Sequence, residues 1–287
     1  MKFDLKAFIQ KKEYIDKNEP VVIALSGGVD SMVLFNILYS LNCNIVIAHV
    51  NHNKREASFN EYEELKEMAI QKNIVFEGIT FDELEGNFQE VSRNERYKFF
   101  ASVAKKHKAR KVFLAHHADD QLETILMRLT CGSSFTGYAG IKEIREFEGI
   151  FFVRPLIEID KNQIIEYARQ ENITYFEDAS NAKDEYTRNR FRHNIVPLLR
   201  EETESLTQKT LQYSVYLSLA DEFIIIHRDQ FIEVHFDGKF VNLEVFNQQQ
   251  KIIKIKILKF IINAKSGNTV EVSYQQYQDM IELLLSE

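Results

Sequence analysis

Residues 21–31 read VVIALSGGVDS, and this stretch decides the fold that we expect of the chain. The apolar run 21–25 predicts a buried strand, and the two glycines that follow it predict a tight turn. Apolar residues then recur at helical spacing from Ser31 to Leu41. The segment therefore predicts a buried strand that leads through a glycine-rich turn into a helix.

A series of similar strand–helix units follows this segment. The predicted strands lie at 44–50, 74–79, 111–115 and 150–154, and the predicted helices behind them at 58–71, 89–106, 119–130 and 160–171. Five such units predict an α/β fold with a doubly wound, Rossmann-like parallel sheet of five strands and helices on both faces. Ligands of such sheets bind beyond the carboxyl ends of the strands, so the residues after Leu25, His49 and Ala115 are expected to converge on one crevice.

The last part of the chain has a different pattern. Residues 206–226 predict one long helix, and residues 231–246 predict a hairpin whose turn is Asp237-Gly238. Residues 249–262 fit a strand by their Lys-Ile alternation, but their length and continuous apolar content favour a buried helix.

We therefore expect two domains, a larger one over residues 1–202 and a smaller, mostly helical one over residues 203–287. A chain of 287 residues is long enough for both. The last five residues lie inside a helix-like pattern, which leaves open a further C-terminal part.

Composition is typical of a globular protein. Hydrophobic residues make up 45% and charged residues 28%, and no apolar run approaches the ~18 residues that a membrane-spanning helix needs. The N-terminal residues mix acids and lysines and do not form the apolar core of a signal peptide, so we expect a cytoplasmic protein without a membrane partner. Cys43 and Cys131 are too few for a disulfide framework and lack metal-ligand spacing.

Two basic segments stand out from a net charge of −7, a value that argues against indiscriminate coating of nucleic acid. Residues 92–111 contain eight Lys or Arg residues and one acid, and residues 186–200 contain four arginines and no acid. Clusters of this density are typical of phosphate-binding surfaces. A solvated helix face remains the alternative for each segment taken alone.

The turn SGGVDS at residues 26–31 has the chemistry of an anion-binding loop. Its glycines let successive N–H groups aim at one anion, and the start of the following helix adds partial positive charge. Ser26 and Ser31 can donate their hydroxyls to the same oxygens. No G-K-[ST] follows and no G-x-G-x-x-G occurs, which excludes a Walker loop and a dinucleotide fingerprint. Asp30 would repel a phosphate unless a cation or a substrate ammonium lay between them.

Several motifs, in order along residues 21–200, resemble those of the tRNA(Ile)-lysidine synthases, a family of the PP-loop ATP pyrophosphatase superfamily. The superfamily signature S-G-G-x-D-S matches residues 26–31. The further matches are AHVNH at 48–52, Glu90 with Arg93, Arg96 and Tyr97, AHHADDQLET at 115–124, RPL at 154–156, Asp178 with Ser180 and Asn181, and YTRNRFR at 186–192. Lys54 stands where the family usually has leucine, which is a local departure.

The resemblance implies an adenine nucleotide alpha hydrolase-like catalytic domain over residues 1–202 and a tRNA-contacting role for residues 203–287. It implies ATP-dependent ligation of free L-lysine to C2 of the anticodon wobble cytidine of isoleucine tRNA with a CAU anticodon. The cytidine O2 would attack the α-phosphate of ATP and release pyrophosphate, and the lysine ε-amine would then displace AMP. ATP and Mg²⁺ are the implied cofactors, because adenylation concentrates negative charge on the polyphosphate.

The resemblance also implies roles for individual residues. Lysine binding and catalysis are expected of Asp30, Asp120 and Glu123, and a Mg²⁺ site of Asp119 and Asp120, while the separate role of each acid stays open. ATP binding is expected of Ser26, Gly27, Gly28, Val29, Asp30, Ser31, His49 and His52. Binding of tRNA is expected of Arg93, Arg96, Arg188, Arg190 and Arg192.

Two other functions remain as alternatives from the sequence. A tRNA thiolase of the same superfamily would usually need cysteine nucleophiles or a cluster, for which Cys43 and Cys131 are poorly placed. A nucleotide-sensing or tRNA-binding module without turnover would gain little from acids at 30, 119, 120 and 123. His116 and His117 do not predict zinc, because adjacent residues of an extended segment point to opposite faces and no H-E-x-x-H motif accompanies them.

Overall fold

A computed structural model describes residues 3–16, 18–51, 56–80, 88–177, 184, 186–267 and 269–285, with the backbone alone at 56–58 and 88–92. His52, Lys54, Asp178, Ser180 and Asn181, which were named above, lie outside the described residues. None of the described helices combines the length and the apolar character that crossing a membrane requires.

Six strands among the described residues form one sheet. They are β1 Val21–Ala24, β2 Ile45–Asn51, β3 Val75–Thr80, β4 Lys111–Phe113, β5 Ile144–Phe147 and β6 Ile150–Val153. Their spatial order is β3-β2-β1-β4-β6-β5, and every neighbouring pair is parallel except β5 and β6. The chain order reverses between β1 and β4, which is the switch point where such sheets bind ligands.

The α/β class and the parallel sheet are confirmed, but the predicted number of five strands is wrong. The additional strand is β5, which is antiparallel to β6. Glu148 and Gly149 join the two strands with φ of 52° and 78°. Two successive left-handed residues form a type I′ hairpin turn, whose twist matches that of the strands beside it. The sequence pattern showed only the strand–helix alternation, so the short strand β5 was not predicted.

Helices follow the parallel strands at the predicted places. The described helices are α1 Leu5–Lys11, α2 Val29–Ser40, α3 Glu56–Gln71, α4 Phe88–Lys106, α5 Ala118–Cys131, α6 Phe135–Tyr138, α7 Lys161–Gln170, α8 Thr187–Arg190, α9 Val196–Glu202, α10 Leu206–His235, α11 Leu243–Asn247, α12 Lys251–Ser266 and α13 Tyr274–Leu285. A π-helical turn, Phe191–Ile195, links α8 to α9. The helices predicted behind the five parallel strands are α2, α3, α4, α5 and α7.

Apolar side chains cover both faces of the sheet. Val21 and Ile23 of β1 point to one face, where they pack with residues of α1, α2 and α7. Val22 points to the other face, where it packs with residues of α4. Alternate residues of a strand point to opposite faces, so a strand that is covered on both sides needs a continuous apolar run. This requirement explains the apolar stretch at residues 21–25.

The chain divides into two compact units. The first contains residues 1–132 and 140–212, and the second contains residues 133–139 and 213–287. In the second unit, Phe231, Phe246 and Ile257 form the centre of a small apolar core. The domain boundary after residue 202 stays a prediction.

The hairpin predicted over residues 231–246 is wrong. Most of this segment belongs to α10 and α11, so strand pairing is reduced to one antiparallel bridge between Phe236 and Val241. Continuation of α10 places Ile224 and Phe231 seven residues apart on one helical face, and both are buried. Burial on a helical face outweighs the local hairpin pattern here. The last predicted helix is confirmed as α12.

Candidate active site

The loop at residues 26–31 connects β1 to α2, and Ser31 shapes it. Ser31 Oγ accepts the N–H groups of Ser26 at 3.2 Å and Gly27 at 3.1 Å, and it donates to Gly28 O at 3.0 Å. The residue is 4% exposed. Its hydroxyl thus fixes the curvature of the loop from inside. The first N–H groups of α2 have no acceptor within the helix and are available to an anion.

Gly27 meets two requirements that only glycine fulfils together. Its φ is 88°, in the left-handed region. A Cβ at this position would lie 2.5 Å from Cδ2 of Phe176, whose N–H donates to Gly27 O at 2.9 Å. The segment that follows α7 therefore packs directly against the loop and fixes its position.

Lys161 supplies a cation beside Asp30. Lys161 is the first residue of α7 and its Nζ lies 2.6 Å from Oδ1 of Asp30, in the first turn of α2. On the other side of the carboxylate, His117 Nε2 lies 3.8 Å from Asp30 Oδ2. Sequence reasoning missed Lys161. The helix predicted over residues 160–171 already placed this lysine at a helix start, and the capping-box spacing of Asp160 and Gln163 agrees with that start, but the sequence did not indicate Asp30 as its partner.

The start of α5 carries the second group of predicted acids. His117 precedes the helix, its N–H donates to Asp120 Oδ2 at 3.0 Å, and its Nε2 lies 3.5 Å from the same oxygen. Burial alone would raise the pKa of Asp120, but His117, His116, Arg188 and the donated N–H together hold this pKa below its ordinary value. Asp120 is therefore ionised at neutral pH. His117 approaches both Asp30 and Asp120, so it links the starts of α2 and α5.

Glu123 lies one helical turn beyond Asp120 and is 2% exposed. A carboxylate at this depth needs a cation, and Arg192 provides it with Nε at 2.6 Å from Oε1 and Nη2 at 3.1 Å from Oε2. Arg188 Nε lies 3.6 Å from Oε2. Burial lowers the pKa of Arg192, but the hydrogen bond to Glu123 and the charges of Glu123, Asp120 and Asp30 together raise it above its ordinary value. Two arginines thus face the buried carboxyl group of Glu123.

The arginines of the second basic segment do not share one surface. Arg188 and Arg192 are four residues apart in a helical stretch, so they lie on the same side and face α5. Arg188 Nη2 also donates to Thr124 Oγ1 at 3.0 Å. Arg190 is exposed and donates to Thr187 Oγ1 at 2.9 Å. Binding of tRNA by these three arginines stays a prediction.

Asp119 has different partners from Asp120. Its Oδ2 accepts a hydrogen bond from Arg200 Nη2 at 2.8 Å, and its Oδ1 lies 3.5 Å from the backbone N of Lys161. Within the described ranges, no group of three or more His, Cys, Asp or Glu side chains converges as a metal site. Mg²⁺ at nucleotide sites is usually held by one or two carboxylates together with phosphates and water. Asp30 and Asp120 are oxygen donors that suit such a site.

His49 lies in β2, beside the end of β1 in the sheet. Burial lowers its pKa, so the ring is neutral and its Nδ1–H donates to Leu25 O at 2.7 Å. The rings of Tyr62 and Phe76 lie 5.5 Å and 6.1 Å from it, centre to centre. These contacts support the strand that leads into the loop. A contact of His49 with ATP stays a prediction, and His52 lies outside the described residues.

The first basic segment contributes two arginines from α4. Arg93 is exposed, and its guanidinium carbon lies 5.8 Å from the centre of the Tyr97 ring. Arg96 is partly buried, and burial lowers its pKa. Its Nε has no hydrogen-bond partner in the part of the chain that the structure describes. Tyr97 is buried and accepts a hydrogen bond from Arg154 Nη2 at 2.8 Å. The Tyr97 side chain therefore packs in the apolar core between α4 and the sheet.

A family model described as a PP-loop domain matches residues 1–199. The chain belongs to the PP-loop domain family. The match contains the loop at 26–31, the acids of α5 and the arginines at 188–192.

Relatives of this PP-loop domain are named tRNA(Ile)-lysidine synthase. The protein of Geobacillus kaustophilus is 39% identical over 231 residues, which are 77% of this chain and 50% of that protein. The Bacillus subtilis protein is 34% identical over 230 residues, 77% of this chain and 49% of that protein. A Streptococcus mutans protein is 32% identical over 282 residues, 96% of this chain and 62% of that protein. The chain thus spans about half the length of the first two relatives.

A solved structure shares the PP-loop fold. The U34-tRNA thiolase NcsA from Methanococcus maripaludis, determined with its [4Fe-4S] cluster, aligns with a TM-score of 0.63 over 74% of this chain and 77% of that chain. The two sequences are 17% identical in the alignment. This likeness supports the fold assignment alone.

Proposed function

We propose that this chain carries the catalytic PP-loop domain of a tRNA(Ile)-lysidine synthase, which ligates free L-lysine to C2 of the wobble cytidine of isoleucine tRNA with a CAU anticodon. One observation carries the proposal. The carboxylates of Asp30, Asp120 and Glu123 gather at the starts of α2 and α5, beside the anion-binding loop. A domain that only held a nucleotide would gain little from three acids beside a polyphosphate.

In the first step, the loop at residues 26–31 binds the phosphates of ATP. The N–H groups at the start of α2 and the dipole of this helix stabilise the negative charge that develops there. Attack of the cytidine O2 on the α-phosphorus breaks the bond to the oxygen that bridges the α- and β-phosphates. Pyrophosphate leaves, and the cytidine becomes adenylated.

Mg²⁺ would neutralise polyphosphate charge when it is bound, and the carboxylate of Asp30, at the edge of the loop, would hold it. The carboxylate of Asp119, which the sequence also suggests, already faces Arg200 and the backbone N of Lys161. Asp119 therefore serves chiefly to fix the start of α5 relative to α7 and α9.

In the second step, the ε-ammonium of lysine must be bound and lose a proton before the amine attacks C2. Arg192 engages both oxygens of Glu123, whereas Asp120 Oδ1 lies 3.7 Å from Arg192 Nη2. Asp120 is ionised and less tightly paired, so it binds the ammonium and accepts the proton. Attack by the amine then expels AMP from C2.

The exposed arginines Arg93 and Arg190 are available to phosphates of the tRNA, which is the macromolecular partner in this proposal. Arg188 and Arg192 face the acids of α5 and act inside the crevice. A role in tRNA modification also agrees with the expected cytoplasmic location.

The test is to incubate the protein with isoleucine tRNA, Mg·ATP and labelled lysine and to analyse the digested nucleosides. Lysidine, AMP and pyrophosphate in equal amounts are the expected products. Formation of ADP and orthophosphate would contradict the assignment. A sulfur-containing nucleoside, formed when a sulfur donor replaces lysine, would favour the thiolase alternative.

A further inference from the structure

Lys161 stands where three helices begin. It is the first residue of α7, and its ammonium reaches Asp30 in the first turn of α2 at 2.6 Å. Ile159, two residues before Lys161, accepts the N–H of Ala118 at the start of α5 at 3.0 Å. Backbone and side chain together therefore tie the starts of α2, α5 and α7 to one place.

The position of Lys161 is set by the fold. Six residues further along each helix, Tyr167 Oη donates to Asn36 Oδ1 at 3.3 Å, so α2 and α7 run side by side in the same direction. At the start of α7, the N–H of Asp160 donates to Gln163 Oε1 at 3.1 Å and closes the first turn. Hydrogen bonds therefore fix the start of α7, from which the Lys161 side chain extends toward the loop at residues 26–31.

A lysine at this place is electrostatically unfavourable on its own. A helix start carries roughly half a positive charge, and a cation there is repelled by it. The acids of the crevice do not neutralise the partial positive charge of the helix starts, because each acid already has a cationic partner. The pairs are Asp30 with Lys161, Asp119 with Arg200, and Asp120 and Glu123 with Arg188 and Arg192. Asp160 lies at the start of α7 itself and offsets the partial charge of that helix. The starts of α2 and α5 are then left with uncompensated positive charge, which suits an anion of several charges.

We propose that Lys161 is a positioning residue for the polyphosphate, whose ammonium bridges the Asp30 carboxylate and the β- or γ-phosphate oxygens of a bound nucleoside triphosphate. The proposal rests on the proposed function, since it takes the loop at residues 26–31 as the phosphate site. Asp30 holds the ammonium beside the loop before the nucleotide binds. The ammonium then separates the phosphates from the carboxylate, which explains an acid inside an anion-binding loop. AMP lacks these phosphates, so Lys161 favours the triphosphate over the AMP product.

The test measures binding without turnover, by calorimetry with α,β-methylene-ATP and with AMP, each in the presence of Mg²⁺. Lys161→Met should raise the Kd of the triphosphate analogue by about tenfold, the scale of one charge-assisted hydrogen bond, and leave the Kd of AMP unchanged. Lys161→Arg keeps the charge and should stay within about threefold of the original Kd. Lys105→Met removes an exposed lysine that pairs with Glu148, and this control should leave both affinities unchanged.

Two results would overturn the proposal. If Lys161→Met binds the triphosphate analogue with an unchanged Kd, Lys161 is only an ion-pair partner of Asp30. If the affinities for the analogue and for AMP fall by the same factor, the substitution acts on the fold and not on the phosphates. If Lys161→Met lowers Tm by more than about 5 °C, Lys161→Gln takes its place, and the same two results would overturn the proposal. The binding measurement does not depend on turnover. If Lys161→Met selectively loses affinity for the analogue but the unaltered protein forms no lysidine, only the proposed function is contradicted.

Discussion

Arg192 and Glu123 form a bidentate ion pair, with Nε at 2.6 Å from Oε1 and Nη2 at 3.1 Å from Oε2, and the glutamate is 2% exposed. The arginine belongs to the π-helical turn between α8 and α9. A π-turn inserts an extra residue into a helix and redirects its side chains, and such turns are frequent at functional sites. This geometry directs Arg192 toward α5.

Removing the arginine from this pair should cost more stability than neutralising the acid. Arg192→Ala leaves a buried carboxylate for which Arg188 is the remaining cationic partner among the described residues, and we expect the free energy of unfolding to fall by about 3 kcal/mol. Glu123→Gln removes the charge and keeps the shape, so its expected loss is about 1 kcal/mol. Urea unfolding of both variants measures the difference. Equal losses would show that the carboxylate is compensated from elsewhere.

Arg190 should contribute to tRNA binding but not to ATP binding in the crevice. Arg190→Ala is expected to weaken tRNA binding at all sequences and to reduce the slope of log K against log salt by about one unit. Binding of ATP should be unaffected, because the side chain is exposed and bonded to Thr187. Filter binding across a salt series measures the slope. An unchanged slope would identify Arg190 as part of a solvated helix face.

The conformation of the loop should depend on Gly27 more than on glycines with the same φ elsewhere. Gly27→Ala introduces a Cβ that lies 2.5 Å from the Phe176 ring, at a φ of 88°. Gly149→Ala is the matched control, since its φ is 78° and no atom of the described residues lies within 4 Å of the added Cβ. We expect Gly149→Ala to cost about 1 kcal/mol and Gly27→Ala about twice as much.

Only Gly27→Ala should also weaken ATP binding, because Phe176 and the loop must separate to accommodate the methyl group. Phe176→Ala combined with Gly27→Ala should recover part of this loss. Two glycine variants with the same unfolding free energy and the same ATP affinity would contradict the packing described here.

The sequence was sufficient for much of the fold because local and tertiary preferences agree there. Residues 21–31 combine an apolar run, two glycines and a helical pattern, and the structure forms β1, the loop and α2 from them. The hairpin turn at Glu148 and Gly149 was missed because its strands are short and lie next to a strong strand–helix pattern. The predicted hairpin at 231–246 failed because a helical face that buries Phe231 is more favourable.

The candidate site could be predicted less completely than the fold. The loop and the acids of α5 are local motifs, so they were visible in the sequence. Lys161 is 131 residues from Asp30, and Arg192 is 69 residues from Glu123, so only the tertiary fold brings each pair together. The predicted roles of individual residues in ATP and tRNA binding remain predictions.

His116 should make stability depend on pH between about 6.5 and 4. Burial lowers the pKa of this histidine to about 3, with Asp120 opposing the shift and Arg154 and Arg188 adding to it. The unfolded chain takes up a proton near pH ~6.5. The contribution of neutral His116 is therefore complete above this value, and it is lost progressively as the pH falls toward 3.

Between pH ~6.5 and ~4.5, the original protein should lose about 1 kcal/mol of unfolding free energy per pH unit more than His116→Gln does. Urea titrations at several pH values, without nucleotide, provide the comparison. Parallel pH dependences for the two proteins would show that His116 titrates normally in the folded state.

The most direct test of the central claim is the rate of lysidine formation by Asp120→Asn, with isoleucine tRNA, Mg·ATP and labelled lysine. Asp279→Asn, an exposed aspartate that accepts a hydrogen bond from Gln275, is the matched control. We predict that Asp120→Asn keeps its Tm and loses about 10²-fold or more in rate, the scale of a lost electrostatic catalytic group, while the control is unchanged. A rate close to that of the unaltered protein in Asp120→Asn would contradict the claim that this carboxylate acts in the ligation.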